Sequence, residues 1–333
     1  LITFLKINYI MNKLDKVAVT SRSFSSNKQL IKNLSSKYAN IKLNNSGKTL
    51  TGDDLFKFVS DQDKVIVGLE DFKKNLINKL SKLKVISKFG VGLNNIDTAA
   101  MCKNNISLGF TPGTNKQAVA ELTLMHILLS LRKIPSSKED IAIKNIWSQN
   151  KGNELLEKSI GIIGFGNIGQ KLSEILEPFN CKIKFYDNRD ISIESLKSII
   201  PNKSSNFYDN LEQSSLESIL SESDIISIHL PLLKETKNMI GRRELGLIKN
   251  NARIINTSRG GIVDEGALFN HLRINKDNFA CFDVFEVEPA FNNPLLNLEN
   301  FYATSHLGSM TAESVVAMGN AAIEGLDDNK IPE

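Results

Sequence analysis

Short β-branched runs alternate with longer segments of helical period along almost the whole chain, and this alternation constrains the fold more than any other feature. Strands buried on both faces read as continuous apolar runs, and parallel neighbours need a crossover helix between them, so the pattern predicts parallel sheets flanked by helices. Two series are visible. One has runs at residues 17–20, 65–67, 85–87 and 106–108; the other, more regular, has runs at 160–163, 183–186, 225–228, 253–256, 280–284 and 301–304. Between them lies a helix expected over 115–132, introduced by the Thr111-Pro112-Gly113 turn and ended near Pro135. After Leu307-Gly308-Ser309 the pattern turns helical from Thr311 to about Leu326 with no strand following, so the chain is expected to return to the first domain there. A chain of 333 residues exceeds what one hydrophobic core usually supports. The reading is therefore two α/β domains, the first formed by residues 1–113 and 310–333 and the second by 114–309.

Composition excludes several classes. With 41% apolar and 23% charged residues and a formal charge of +4, the chain reads as an ordinary soluble protein. The basic excess is scattered over lysines such as Lys73, Lys74, Lys79, Lys82 and Lys84, which read as solvated helix faces, so no nucleic-acid partner is expected. Cys102, Cys181 and Cys281 share no metal-ligand spacing and are too few for a disulfide framework; no metal is expected, and a cytoplasmic setting fits best. Residues 1–12 are neither a secretory signal nor a membrane-length run, and the longest apolar stretch, 122–131, includes His126 and Ser130, so no membrane association is expected. Residue 1 is not Met whereas Met11 precedes the first periodic segment, so the leading ten residues read as an upstream extension. The polar stretch 201–206 reads as a surface loop.

The strand candidate Lys158-Ser159-Ile160-Gly161-Ile162-Ile163 runs into Gly164-Phe165-Gly166-Asn167-Ile168-Gly169 and then a helical segment over 170–176. Each glycine has a job in a dinucleotide loop: Gly164 permits the tight turn, Gly166 lets the backbone approach a pyrophosphate, and Gly169 allows close packing of helix on strand. The N–H donors at the helix start, from Asn167 and Ile168 onward, would face the phosphates. The next strand ends at Asp187, 18 residues beyond Gly169. A carboxylate there would bond the adenosine ribose hydroxyls and repel a 2′-phosphate, which favours NAD over NADP; Arg189, two residues on, weakens that preference.

Hydride exchange between a nicotinamide and a 2-keto acid needs a cation for the carboxylate and an acid to protonate the carbonyl oxygen. Of four histidines, His126 and His271 sit within helical apolar patterns and read as packed. His229 and His306 remain, both at or just past strand ends, where open α/β sheets bind ligands. His229 precedes Leu230-Pro231, a segment expected to line the adenine or ribose end of the cofactor groove. His306 lies in the last strand-to-loop transition before the chain leaves the domain, in the expected inter-domain cleft. Arg259 follows a buried strand in Asn256-Thr257-Ser258-Arg259-Gly260-Gly261, where two glycines would let the backbone approach the cofactor and the guanidinium could grip a carboxylate. A further strand end carries Asp283, Glu286 and Glu288, and periodicity does not choose among them.

These segments resemble the D-isomer-specific 2-hydroxyacid dehydrogenase family from about Val17 to Leu326. The resemblance is carried in order by GVGLNNID (90–97), TPGTNKQAVAE (111–121), the Trp147 region leading into GIIGFGNIG (161–169), HLPLLKETKNMIG (229–241), INTSRGGIVDEGAL (255–268), FDVFEVEP (282–289) and SHLGS. It implies a Rossmann NAD-binding domain inserted into a flavodoxin-like substrate domain, both doubly wound. It implies Arg259 as substrate anchor, His306 as acid/base and Glu288 as its partner. Asp283 would lie near the nicotinamide carboxamide, and Pro231, Thr236, Thr257 and Ser258 would join the cofactor site. The amides of Val91 and Gly92 would meet the substrate carboxylate. Ser258 and Asn94 stand where members often have Ala and Asp. Lys88 aligns where phosphoglycerate dehydrogenases often carry Arg, and a cation there suits a phosphorylated substrate, although a solvated surface lysine reads nearly as well. The expected reaction is thus the interconversion of D-3-phosphoglycerate and 3-phosphohydroxypyruvate, with glyoxylate or hydroxypyruvate reduction as the alternative, or an NADH-sensing role without catalysis. A homodimer through the cofactor domain is implied. The chain ends without the regulatory extension of some phosphoglycerate dehydrogenases, so feedback through such a domain is not expected.

Overall fold

The computed structural model describes residues 14–333, so the expectation for the leading residues lies outside the described part. The chain divides into two compact units, one running to Asn115 and resuming over Met310–Glu333, the other Lys116–Ser309.

In the first unit, β1 (Lys16–Val19), β2 (Asn40–Leu43), β3 (Lys64–Val67), β4 (Val85–Lys88) and β5 (Ser107–Gly109) form a parallel sheet in the order β2-β1-β3-β4-β5, the flavodoxin-like order. β3 and β4 are buried along their whole length. The edge strand β2 was not foreseen, because Asn-Ile-Lys-Leu alternates exposed and half-buried positions and lacks an apolar run. The final helix, Ala312–Glu324, returns to this sheet: Met318, Ala322 and Ile323 share a core with Val17, Val19, Leu30 and Leu34. Beyond it, Asp327 pairs with Lys64 at 3.2 Å, and Lys330 forms an antiparallel bridge with Leu108.

In the second unit, β6 (Ser159–Ile163), β7 (Lys182–Tyr186), β8 (Leu211–Gln213), β9 (Ile225–Ile228), β10 (Arg253–Asn256), β11 (Phe279–Phe282) and β12 (Phe301–Ala303) form a parallel sheet in the order β12-β11-β10-β9-β6-β7-β8. The strand order reverses between β6 and β9, which opens a crevice at their carboxyl ends, the place where such sheets bind ligands. The helix Lys116–Leu131 packs on β10, β11 and the helix Asn167–Leu176. Its end differs from expectation. It stops at Leu131, Lys133 takes a left-handed backbone (φ 54°), and Pro135 opens a further helix, Ile134–Glu139, because proline fits a first helical turn as well as it ends a helix. Among the described residues no helix is long and apolar enough to cross a membrane, and the three cysteines are free thiols.

Candidate active site

β6 runs directly into the glycine loop. Gly164 has φ 96°, and a Cβ there would lie 2.6 Å from the His229 carbonyl oxygen, so both backbone and space require glycine. A Cβ on Gly169 would meet the Gly164 carbonyl at 2.4 Å, which reflects close packing of helix on strand. Gly166 differs: nothing lies within 4 Å of its Cβ position, and it starts the helix Asn167–Leu176 with no side chain capping it. An uncapped helix start behind open backbone, with exposed Asn167 and half-buried Ile168 in its first turn, sits at the switch point of the sheet. That arrangement fits the pyrophosphate of a dinucleotide. Asp187 follows β7, and Arg189 closes on it through Nε–Oδ1 at 2.8 Å and Nη2–Oδ2 at 3.1 Å. Burial opposes ionisation of Asp187, but the bonds from Arg189 and from the Phe165 N–H outweigh it and hold the carboxyl below its ordinary range.

On the same edge of the sheet, beyond β11 and β12, Glu288 and His306 meet: Nδ1 lies 2.8 Å from Oε2, and the other carboxylate oxygen accepts the Phe285 N–H at 3.0 Å. The choice left open among three acids is settled by position. Glu286 is exposed and pairs with Lys237 at 3.3 Å. Asp283 is 1% exposed and accepts from the Thr304 hydroxyl and the N–H groups of Leu307 and Gly308. Of the three carboxylates, among the described residues, only that of Glu288 bonds the imidazole ring of His306.

His306 holds a left-handed backbone (φ 57°), which costs a non-glycine residue about 1–3 kcal/mol. The conformation is fixed by its own N–H on the Asp283 carbonyl at 2.9 Å and by the Asp283 carboxylate gripping the next two amides. Asp283 thus fastens the loop that aims His306. The Glu288 bond raises the His306 pKa above its ordinary value, against burial and the Arg259 charge. Glu288 is held low: burial works against its charge, and His306 together with the Phe285 N–H prevails. Arg259 is half-buried, donates from Nη1 to the Ser258 carbonyl at 2.6 Å, and lies close enough to act electrostatically on both partners. With Nδ1 taken by Glu288, Nε2 is the atom of His306 able to exchange a proton with a ligand.

The turn that carries Arg259 depends on Asn256, which the sequence reading passed over. Its Oδ1 accepts from the N–H and hydroxyl of Ser258, and its Nδ2 donates to the Arg259 carbonyl at 2.9 Å. An Asn at a strand end two residues before Ser is the signal of an Asx turn. Thr257 and Ser258 accordingly face inward, Thr257 bonding Thr123 at 2.8 Å, so what they offer a cofactor is backbone. The reason for Gly260 is also other than expected: a Cβ there would overlap the Phe285 carbonyl carbon at 1.8 Å, so the close approach is to protein backbone rather than to cofactor.

His229 turns its ring back on Ser227 at 2.8 Å, where burial pushes its pKa down to about 3; the carbonyl of His229 is what abuts the glycine loop. Thr236 cinches its own loop by donating to the Pro231 carbonyl at 2.7 Å. His126 is fully buried, which lowers its pKa to about 4, and its Nε2 lies 3.3 Å from the Thr304 hydroxyl that donates to Asp283, so it packs behind the strand ends; His271 bonds Asn278 at 3.3 Å. In the first unit, Lys88 ends β4, 6% exposed, with its ammonium on the Gly68 carbonyl at 2.5 Å and Asn95 at 2.9 Å, so it is not a solvated surface lysine. Val91 and Gly92 lie three and four residues further along, half-buried in the following loop.

A family model described as D-isomer specific 2-hydroxyacid dehydrogenase, NAD binding domain, matches residues 124–308. The chain belongs to the D-isomer specific 2-hydroxyacid dehydrogenase family. The matched span falls within the second unit of this dehydrogenase, and the NAD-binding domain therefore carries both the glycine loop and the His306–Glu288 pair. The D-3-phosphoglycerate dehydrogenase of Methanocaldococcus jannaschii is 34% identical over 278 residues, 83% of this chain but 51% of that protein, so the dehydrogenase spans about half of that relative. The hydroxypyruvate reductase of Thermotoga maritima is also 34% identical, over 83% of this chain and 87% of its own length. Among solved structures, the NAD+-bound 3-phosphoglycerate dehydrogenase of Entamoeba histolytica matches with a TM-score of 0.73 and 28% identity, over 93% of each chain.

Proposed function

We propose that this chain catalyses reversible hydride transfer between NAD and the C2 carbon of a D-2-hydroxy acid, with His306 as acid/base, Glu288 as its partner and Arg259 as the carboxylate anchor. The observation that carries the proposal is the His306–Glu288 pair at 2.8 Å on the same sheet edge as an uncapped, open glycine loop. Bound NAD supplies the hydride acceptor in oxidation and, once reduced, the donor. Arg259 offers its guanidinium to the substrate carboxylate, which fixes C2 and its oxygen relative to His306. In oxidation, neutral Nε2 takes the hydroxyl proton as hydride leaves C2; in reduction, imidazolium returns it to the carbonyl oxygen. Glu288 holds the ring in one tautomer and favours the charged form, which keeps the acid available for reduction near neutral pH. The amides of Val91 and Gly92 are offered as further donors to the carboxylate, and the oxygen of Asp283 as an acceptor for the carboxamide.

For the substrate, the reading is D-3-phosphoglycerate, supported by the Lys88 cation at the carboxyl end of β4. A second reading, hydroxypyruvate or glyoxylate, is favoured by the bonds that Lys88 already makes to Gly68 and Asn95. Initial rates of NADH oxidation with 3-phosphohydroxypyruvate, hydroxypyruvate, glyoxylate and pyruvate separate them. The first reading expects the phosphorylated acid to give the highest kcat/KM, with a Lys88→Ala variant losing that advantage. Preference for an unphosphorylated acid establishes the second, and NADH binding without any turnover would point to a sensing role instead.

A homodimer is part of the proposal. Ile134, Ile141, Ile143, Ile146 and Trp147 lie within fourteen consecutive residues of the NAD-binding unit, and Trp147 is 81% exposed, an apolar strip that a second copy would cover. Free thiols at all three cysteines accord with a cytoplasmic setting.

A further inference from the structure

The carboxylate at the end of β7 is masked. Asp187 Oδ1 accepts the backbone N–H of Arg189 at 3.1 Å and its Nε at 2.8 Å, while Oδ2 accepts the Phe165 N–H at 2.9 Å and Arg189 Nη2 at 3.1 Å. A carboxylate has about four lone-pair sites, and here all are engaged. The side chain of Asp187 is 9% exposed and that of Arg189 59%, so the group this strand end presents outward is a cation. Arg189 is also fixed from behind: Gln213 Nε2 donates to its carbonyl at 2.8 Å, and Gln213 Oε1 accepts the Ile191 N–H at 2.9 Å.

An open carboxylate at this position selects NAD in two ways, by accepting hydrogen bonds from the ribose hydroxyls and by repelling a 2′-phosphate. Both effects are blunted here. A ribose hydroxyl would compete for oxygens that already hold donors, and a 2′-phosphate would meet a guanidinium. The bonds of that guanidinium leave from Nε and Nη2, which keeps Nη1 outside the clamp. A planar fork with an unengaged arm suits a phosphate, whose charge-assisted bonds are stronger than those to a neutral hydroxyl. We propose that Arg189, by covering Asp187 and presenting its guanidinium to the 2′-phosphate, makes this site accept NADP(H) alongside NAD(H).

The inference rests on the glycine loop being the dinucleotide site, and calorimetric titration of the purified full chain with NADH and with NADPH tests the two separately. The wild type should bind both, with dissociation constants within about tenfold of each other. Arg189→Ala should weaken NADPH by about tenfold or more while moving NADH by less than about threefold. Arg189→Lys, which keeps the charge without the fork, should fall between them and guards against a folding defect in the alanine variant. A wild type that binds NADPH more than about a hundredfold weaker than NADH, or an Arg189→Ala variant that weakens both alike, would overturn the proposal. Failure to bind NADH at all would instead overturn the cofactor-site reading beneath it.

Discussion

At His306 the charge state is set chiefly by Glu288 and the backbone by Asp283, whose charge adds to the preference for imidazolium. Glu288 raises the imidazole pKa, whereas Asp283, which touches the next two amides, fixes the strained loop. The reductive reaction needs imidazolium, so kcat/KM for a 2-keto acid should fall as pH rises through the raised pKa. Glu288→Gln removes the main cause of the rise and should move that fall to lower pH, which a pH–rate profile measures directly. A profile that does not move would mean that another group titrates. The stability contribution of the pair has the matching sign: it is present between the ordinary carboxylate and ordinary histidine values, is lost as pH rises through the raised pKa of His306, and is lost as pH falls through the lowered pKa of Glu288. Sequence reading could isolate Arg259 and narrow four histidines to two, because strand ends and helical apolar patterns are visible in one dimension. It could not choose Glu288 on its own. β11 ends at Phe282, so strand alternation does not extend to residues 283–288, and which carboxylate returns to the histidine depends on the path of an irregular loop. Asn256 stayed hidden for a related reason, since its importance lies in two local bonds rather than in any chemistry of its own.

At the level of elements, the glycines separate fold from ligand. Gly166→Ala introduces a methyl group into open space at a backbone φ of −85°, so it should leave Tm nearly unchanged while weakening NADH binding severalfold or more. Gly260→Ala drives a methyl into the Phe285 backbone and should cost about 3 kcal/mol or more, seen as a lower Tm in a thermal melt at about 2–4 °C per kcal/mol. If Gly166→Ala melted early and still bound NADH normally, the loop would be structural only. Buried strands such as β6, β9 and β10 were legible because both faces are covered and the apolar run is continuous. The edge strands β2 and β8 were not, because a covered neighbour on one side only permits Asn-Ile-Lys-Leu and Leu-Glu-Gln, which read as loop.

For the molecule as a whole, the return of the chain was legible in a helical pattern without a following strand, and Met318, Ala322 and Ile323 show what that helix buries. Assembly is less legible, since an apolar strip in sequence does not say whether the chain itself or a second copy covers it. Trp147, the single tryptophan and 81% exposed, makes that testable: light scattering should give a dimer mass, and Trp147→Glu should reduce it to a monomer. A wild-type monomer would remove that part of the account. The central claim is that His306 moves the proton while the glycine loop holds the dinucleotide. It is tested most directly by single-turnover consumption of NADH with the best 2-keto acid, comparing wild type with His306→Ala and measuring NADH affinity on the same samples. The variant should be slower by about 10²–10⁴-fold with NADH affinity nearly unchanged. A variant that turns over within about threefold of wild type would contradict it.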